Sequence, residues 1–324
     1  MYNQSQLKEL VDKALMNLSY NTEAPRLIDP VKYIMSLGGK RLRPVMLLMA
    51  CNIFSDRIND AVMPAAGIEI FHNFTLVHDD IMDQASLRRG LATIHHKWNV
   101  NQAILSGDVM AFLAGDCFLQ LPQGNLVRVL RIFNKAARDV CAGQQLDMDY
   151  EKAVIVTQEE YLKMIELKTA VLIAASVKIG AIIGGADEKN ADLLSEFGNN
   201  LGLAFQIQDD ILDVWGDSKV FGKKPGGDIV ANKKTLPLVK AMEKASVPQK
   251  KVLQELFAEV ETDPEAKIRK VIDIYDELDI RNMTESLARE YIGKAFALLK
   301  KLPAEEKRKQ EMMNLATSLM EREY

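Results

Sequence analysis

Cysteine, histidine, long apolar runs and flexible linkers are all scarce in this chain of 324 residues. The three cysteines, Cys51, Cys117 and Cys141, are odd in number and lack metal-type spacing. That excludes a disulfide framework and predicts reduced, mostly buried thiols in a cytoplasmic protein. No apolar stretch reaches the roughly 18 to 20 residues of a membrane span. The amino-terminal MYNQSQLKELVDKALMNL places Glu9 and Asp12 among its apolar residues, so a secretory leader is not expected. A formal net charge of −4 gives no reason to invoke nucleic acid. Only four histidines occur, none spaced one helical turn from another, which argues against zinc.

What is present is helical. Apolar residues recur at three- and four-residue intervals, as in LKELVDKAL, VLIAASVKIGAIIGG and EYIGKAFALLKKL, while alternating runs rich in Val, Ile and Thr are rare. Glycine and proline punctuation at SLGGKRLRP, LPQGN, IIGGADEKN, WGDSKVFGKKPGGD and ETDPEA separates about ten or more helices. A composition of 48% hydrophobic and 27% charged residues supports a sizeable core. With no Gly/Ser or Pro-rich linker, a single all-α domain over residues 1–324 is expected.

One device occurs twice. HDDIMDQASLRRG supplies Asp79, Asp80 and Asp83, and QDDILD supplies Asp209, Asp210 and Asp213. On a helix the first and last acid of each set lie about 40° apart on one face. Like charges so placed repel, and a cation is expected among them. Clustered carboxylates without suitable Cys or His are hard oxygen donors that favour Mg²⁺, with Mn²⁺ possible, and neither stretch carries an EF-hand loop. Magnesium usually bridges a few carboxylates to phosphate oxygens. Bases stand ready for the same phosphates: Lys40, Arg41, Arg43, Arg88, Arg89, Lys223, Lys224, Lys233 and Lys234, with arginine the better fork and lysine the point charge.

In order along the chain, GGKRLRP, FHNFTLVHDDIMDQASLRRG, LSGD, GQQLDMD, LKTA, FQIQDDILDVWGD and FGKKPGGDIVANKKTLP resemble the trans (E-type) isoprenyl diphosphate synthases, the polyprenyl synthetase family. The resemblance runs from about Lys40 to Pro237. It implies helices packed around a central cavity, the isoprenoid synthase fold, usually as a homodimer. By the same resemblance both aspartate motifs hold roughly three Mg²⁺ ions on an allylic diphosphate, which Arg88, Lys168, Lys223 and Lys233 also grip. Lys40, Arg43, His72 and Arg89 match the pocket for isopentenyl diphosphate. Thr169 and Gln206 match residues lining the reacting carbons, and Gln144 and Asp147 match polar groups just outside the metal ligands.

The implied chemistry ionises an allylic diphosphate (dimethylallyl, geranyl or farnesyl) and lets the double bond of isopentenyl diphosphate attack the cation. The growing tail should run back along the helix that ends in Asp79. Its first floor is then Phe74 and Thr75, with Phe71 about one turn further. An aromatic at the first floor position and a small residue at the second resemble the short-chain geranylgeranyl (C20) type, with farnesyl (C15) next. A longer-chain synthase, a class I terpene cyclase and a non-catalytic subunit of a heterodimeric synthase are the rival readings. QDDILD repeats the first motif instead of resembling the cyclase's N-D-x-x-S-x-x-x-E, and both motifs are whole. The chain departs from the family at Ala92, Asn99 and Asn232. With Asn232 where glycine is frequent, the sequence leaves open whether Lys233 or Lys234 faces the diphosphate.

Overall fold

Polar groups at helix ends complete what the apolar periodicity begins. The computed structural model describes residues 2–20, 22–216, 225–258 and 263–321. In chain order its helices are α1 (Gln4–Met16), α2 (Pro25–Ser36), α3 (Leu42–Phe54), α4 (Asn59–Met82), α5 (Ile94–Lys97), α6 (Val100–Asp116), α7 (Gln123–Glu151), α8 (Gln158–Ile165), α9 (Val171–Ile183), α10 (Glu188–Trp215), α11 (Gly227–Val230), α12 (Leu236–Lys244), α13 (Val247–Ala258), α14 (Pro264–Glu277), α15 (Ile280–Lys301) and α16 (Glu306–Met320). Capping boxes start two of them, Asn3 with Gln6 at α1 and Thr157 with Glu160 at α8, each satisfying backbone donors that a helix start leaves over. Among the described residues the strands are two residues long, β1 (Leu87–Arg88) and β2 (Leu91–Ala92), so the chain is all-α as its periodicity predicts. No described helix is long and apolar enough to cross a membrane.

The chain divides into two compact units, each assembled from three segments. Met1–Ala137, Ala175–Leu194 and Pro303–Met312 form one; Arg138–Ala174, Ser195–Leu302 and Met313–Tyr324 form the other. In the first unit, α3 is buried from Pro44 to Ile53, as expected of a helix that is apolar on all sides. Gly180 lets α9 pass against the Leu47 carbonyl, where a Cβ would come within 2.0 Å of the oxygen. Phe71, Phe118 and Phe133 stack together in the same core. Cys51 and Cys117 are buried, which pushes both thiols up to about 12; Cys141 is exposed.

A charged contact also lies inside this unit. The Arg41 guanidinium donates to Glu69 at 2.7 Å, to Asp12 at 2.9 Å and to the Met35 carbonyl at 2.9 Å. Asn73 adds a bond to the same Glu69 oxygen at 3.0 Å. Arg41 is 5% exposed and therefore ties α1, α2 and α4 together, a correction to its grouping with the bases expected to reach phosphate. Removing one partner of such a pair leaves an uncompensated buried charge, a loss of about 3–5 kcal/mol.

The second unit is built on two apolar clusters. Tyr275, Leu253, Val271 and Ile280 centre one, and Tyr161, Ile207, Ile211 and Leu236 the other. Between α8 and α9 the chain makes a π-helical turn, Glu166–Ala170. Gly143 on α7 and Gly202 on α10 flank it. A Cβ on Gly143 would lie 2.2 Å from the Lys168 nitrogen, and one on Gly202 2.5 Å from the Ala170 Cα.

Candidate active site

The first aspartate motif closes α4, and its three acids divide by direction. Asp80 is 2% exposed and is held by Arg88, whose Nε donates to both carboxylate oxygens at 2.8 and 2.9 Å while Nη2 lies at 2.7 Å. Asp79 and Asp83 stand one turn apart, joined by the bond from the Asp83 N–H to the Asp79 carbonyl at 2.8 Å. Asp79 is half-buried and Asp83 exposed. Arg88 comes from a hairpin whose turn residues Arg89 and Gly90 both have positive φ, 53° and 77°, the requirement of a type I′ turn.

The basic residues of this unit converge on the loop before α3. Gly38 and Gly39 adopt φ of 70° and 137°. The Arg89 guanidinium donates to the Gly38 carbonyl and lies where a Cβ on Gly39 would come within 3.0 Å of it. Arg43 Nη1 lies 3.2 Å from His72 Nε2. Burial, then the charges of Arg43, Arg89, Arg88 and Arg41, hold the His72 imidazole well below its ordinary value. His72 is therefore neutral and accepts from Arg43. Burial also lowers Arg89, against the opposing pull of the Glu69 carboxylate, with Arg41 and Arg88 adding repulsion. Glu69 and Asp80 offset part of the repulsion among these cations, and a further anion would be attracted to them. Lys40, beside the loop, is exposed.

Upstream on α4, Phe74 is half-buried and its ring meets His78 edge-on at 4.8 Å and Phe71 at 5.3 Å. Gly107 on α6 leaves the space that His78 occupies, since a Cβ there would lie 2.3 Å from Nε2. Phe71 is 3% exposed and packs on Phe133 at 5.4 Å, so it backs Phe74 from the core. Thr75 turns its hydroxyl to the His72 carbonyl at 2.8 Å.

In the second unit the π-helical turn presents Lys168 and Thr169 together. Lys168 Nζ pairs with Asp147 at 2.5 Å, and the Thr169 hydroxyl donates to Gln206 Oε1 at 2.9 Å. Gln206 Nε2 continues to Asp210 at 3.1 Å. Asp210 also accepts from the Tyr161 hydroxyl at 2.6 Å and the Leu236 N–H at 3.0 Å. Burial, then the nearby Asp228 charge, push its carboxyl up to about 7 against these bonds. Burial and Asp210 hold the Tyr161 phenol well above its usual range, which keeps it a donor. Asp213 is buried and accepts from the Asp228 N–H at 3.0 Å; Asp209 and Gln144 are half-buried.

Lys168, Thr169, Gln206, Asp210 and Lys233 line a cavity of about 160 Å³ with Tyr161. Lys234 reaches it too, but its ammonium lies 5.7 Å from the Phe257 ring, toward a neighbouring cavity of about 480 Å³. Lys223 lies outside the described residues. Tyr161 is the residue that sequence reasoning missed. No sequence signal marked it, because a single tyrosine in a helix is ordinarily core and its partner Asp210 is 49 residues away.

Among the described residues no three of His, Cys, Asp or Glu gather closely enough to form a complete metal centre. Magnesium does not need one, since it keeps several waters and takes one or two carboxylates plus substrate phosphates. The half-buried Asp79 and exposed Asp83 on one face suit that chemistry, as does Asp209.

Known proteins resemble this chain in sequence and in fold. A model of the polyprenyl synthetase family matches residues 24–275. Over 237 residues the chain is 41% identical to the geranylgeranyl diphosphate synthase of Methanosarcina mazei, spanning 72% of this chain and 73% of the relative. A short chain isoprenyl diphosphate synthase of Methanothermobacter thermautotrophicus is 34% identical over 98% of this chain and 96% of its own. The crystal structure of a geranylgeranyl pyrophosphate synthase superposes with a TM-score of 0.95 at 39% identity, covering 100% of both chains.

The neutral state of His72 generates a pH dependence of stability. Its folded pKa lies below the unfolded value of about 6.5, so the unfolded chain binds the proton more readily. The contribution is complete above about pH 6.5 and is lost as the pH falls below it. Denaturant titrations between pH 7.5 and pH 5 (about two units around that value) should show a steeper loss for the wild type than for His72→Gln. Equal slopes would mean that the imidazole charges freely in the folded chain.

Proposed function

Because the chain belongs to the polyprenyl synthetase family, we propose that it condenses isopentenyl diphosphate with an allylic diphosphate to give a linear all-trans C20 prenyl diphosphate. It is a prenyltransferase, and the family acts on isoprenoid diphosphates with a divalent metal. The observation that carries the detailed reading is the charge arrangement. Each aspartate motif buries its middle acid on protein donors, and cationic side chains lie in the same unit: Lys40, Arg43, Arg88 and Arg89 in the first, Lys168 and Lys233 in the second.

Of the six aspartates expected to hold metal, Asp79, Asp83, Asp209 and Asp213 would hold Mg²⁺, roughly three ions in all, with Mn²⁺ able to replace it; Asp80 and Asp210 leave that set because protein donors occupy them. A metal held there would supply positive charge to the leaving diphosphate. Lys168, Lys233 and Arg88 stabilise the same anion as the carbon–oxygen bond breaks. Lys40, Arg43, Arg89 and the neutral His72 seat isopentenyl diphosphate, so that its double bond attacks from a fixed position. Thr169 and Gln206 line the reacting carbons, Gln144 and Asp147 stand just outside the metal ligands, and Asp147 pairs with Lys168. The proton lost at the end passes to the departing diphosphate. Apolar walls exclude water that would quench the cation to an alcohol.

The half-buried Phe74 ring, backed by Phe71, supports a C20 stop over a longer product, with Thr75 beside it leaving room that a second aromatic would fill. A homodimer is supported by a surface stripe of Leu105, Phe112 and Leu119, exposed by 56%, 77% and 59% and spaced at sevens along and just beyond α6. A patch of this kind is unfavourable in water and marks a contact surface.

Three measurements test this reading. Asp79→Ala or Asp209→Ala should lower kcat by about a hundredfold or more with the fold intact by circular dichroism, since a ligand to the metal is lost; near-normal turnover would overturn the metal assignment. Phe74→Ala should shift products beyond C20 on reversed-phase chromatography, and an unchanged profile would place the floor elsewhere. Phe112→Glu should convert the dimer to monomer by light scattering, and a persistent dimer would rule out the α6 stripe.

A further inference from the structure

The second unit buries one lysine to which the proposed chemistry gives no task. Lys267, on α14, is 1% exposed. Its ammonium donates to Asn232 Oδ1 and lies 5.1 Å from the Phe257 ring centroid. A cation kept this deep is costly unless its contacts compensate. Asn232 in turn is the residue where the chain leaves α11. Its N–H donates to the Ile229 carbonyl at 3.2 Å, and its backbone turns left-handed at φ 59°.

Beyond this turn stand two neighbouring lysines that both reach the cavity but send their ammonium groups in different directions. The segment from Lys233 to Thr235 is non-helical, and the Lys233 N–H closes the turn on the Asp228 carbonyl at 3.0 Å. Lys233 lines the cavity that holds Lys168 and Asp210, whereas the Lys234 ammonium is turned toward Phe257. A slip of one residue would exchange them. Asparagine tolerates the left-handed conformation and glycine adopts it more easily. Glycine, however, offers Lys267 nothing to bind.

We propose that Lys267 is a positioning residue: by holding the Asn232 side chain it fixes the turn in the register that delivers Lys233, and not Lys234, to the diphosphate. The inference rests on the proposed reading of Lys233 as a diphosphate ligand. It assigns to Asn232 a purpose beyond backbone geometry.

Steady-state kinetics of the full chain with Mg²⁺ test it through five variants: Lys267→Met, Asn232→Gly, Asn232→Asp, the double Lys267→Met/Asn232→Gly, and Lys233→Ala. Lys267→Met and Asn232→Gly should each raise KM for the allylic diphosphate by about tenfold, the effect of one charged hydrogen bond, and leave KM for isopentenyl diphosphate unchanged. Asn232→Asp keeps an acceptor and should retain the wild-type value. The double variant should be no worse than Lys267→Met alone, because Asn232→Gly removes only a contact that Lys267→Met has already removed. A wild-type KM in Asn232→Gly, or effects that multiply in the double variant, would overturn the inference. If Lys267→Met does not fold, the contrast between Asn232→Gly and Asn232→Asp still decides. Lys233→Ala separates the two levels: a normal KM there defeats the reading of Lys233 itself, whereas a raised KM with normal Lys267→Met and Asn232→Gly defeats only the role of Lys267.

Discussion

The middle carboxylate of each aspartate motif is the anchor on which the outer two depend. Three acids at i, i+1 and i+4 cannot share a helix face, because the second is turned about 100° from the first. In both motifs that second acid points into the protein and finds donors. Asp80 meets the Arg88 fork, and Asp210 meets a phenol, an amide and a backbone N–H. A carboxylate buried without such donors would be strongly unfavourable. Once they are present, the rotation of α4 and of α10 is set, and with it the direction of the remaining acids.

Anchoring also spreads outward. Arg88 is pinned by Asp80, which fixes one strand of a two-strand hairpin. The turn of that hairpin then sends Arg89 to the Gly38 carbonyl. The loop carrying Gly38 and Gly39 leads directly to Arg41, whose buried contacts with Glu69 and Asp12 fasten the start of α3. Arg43 comes two residues later and rests on His72. A run of basic residues is thereby divided, one cation being committed to the core while others are held near each other around His72. Burial together with that concentration of positive charge keeps the imidazole neutral. The same concentration is the preorganised positive field that anion binding requires.

Much of this was legible in the sequence, for identifiable reasons. Helices announce themselves through apolar spacing, and the two D-D-x-x-D runs keep their residue order whatever the packing. Long-range partners do not. Arg41 looks like its neighbours Lys40 and Arg43 until Glu69, on another helix, is brought against it. Arg-Arg-Gly reads as a flexible basic stretch because its turn lacks the asparagine or aspartate usual at a type I′ position. Lys233 and Lys234 are equivalent as letters and differ only through the left-handed turn at Asn232. Tyr161 stayed hidden because a single tyrosine in a helix is ordinarily core, and only the fold brings Asp210 to its hydroxyl.

The π-helical turn at Glu166–Ala170 shows the same economy at the level of the backbone. Lys168 and Thr169 are consecutive, so a regular α-helix would separate their directions by about 100° and leave one of them facing elsewhere. Widening the turn narrows that angle, which lets Lys168 reach Asp147 while Thr169 reaches Gln206 in one cavity. A widened turn is less favourable than regular helix and persists where surroundings enforce it. Here Gly143 and Gly202 allow α7 and α10 to approach the turn's backbone closer than any side chain would permit. Alanine at either position would therefore push on the turn itself, so these glycines belong to the site although neither carries a functional group.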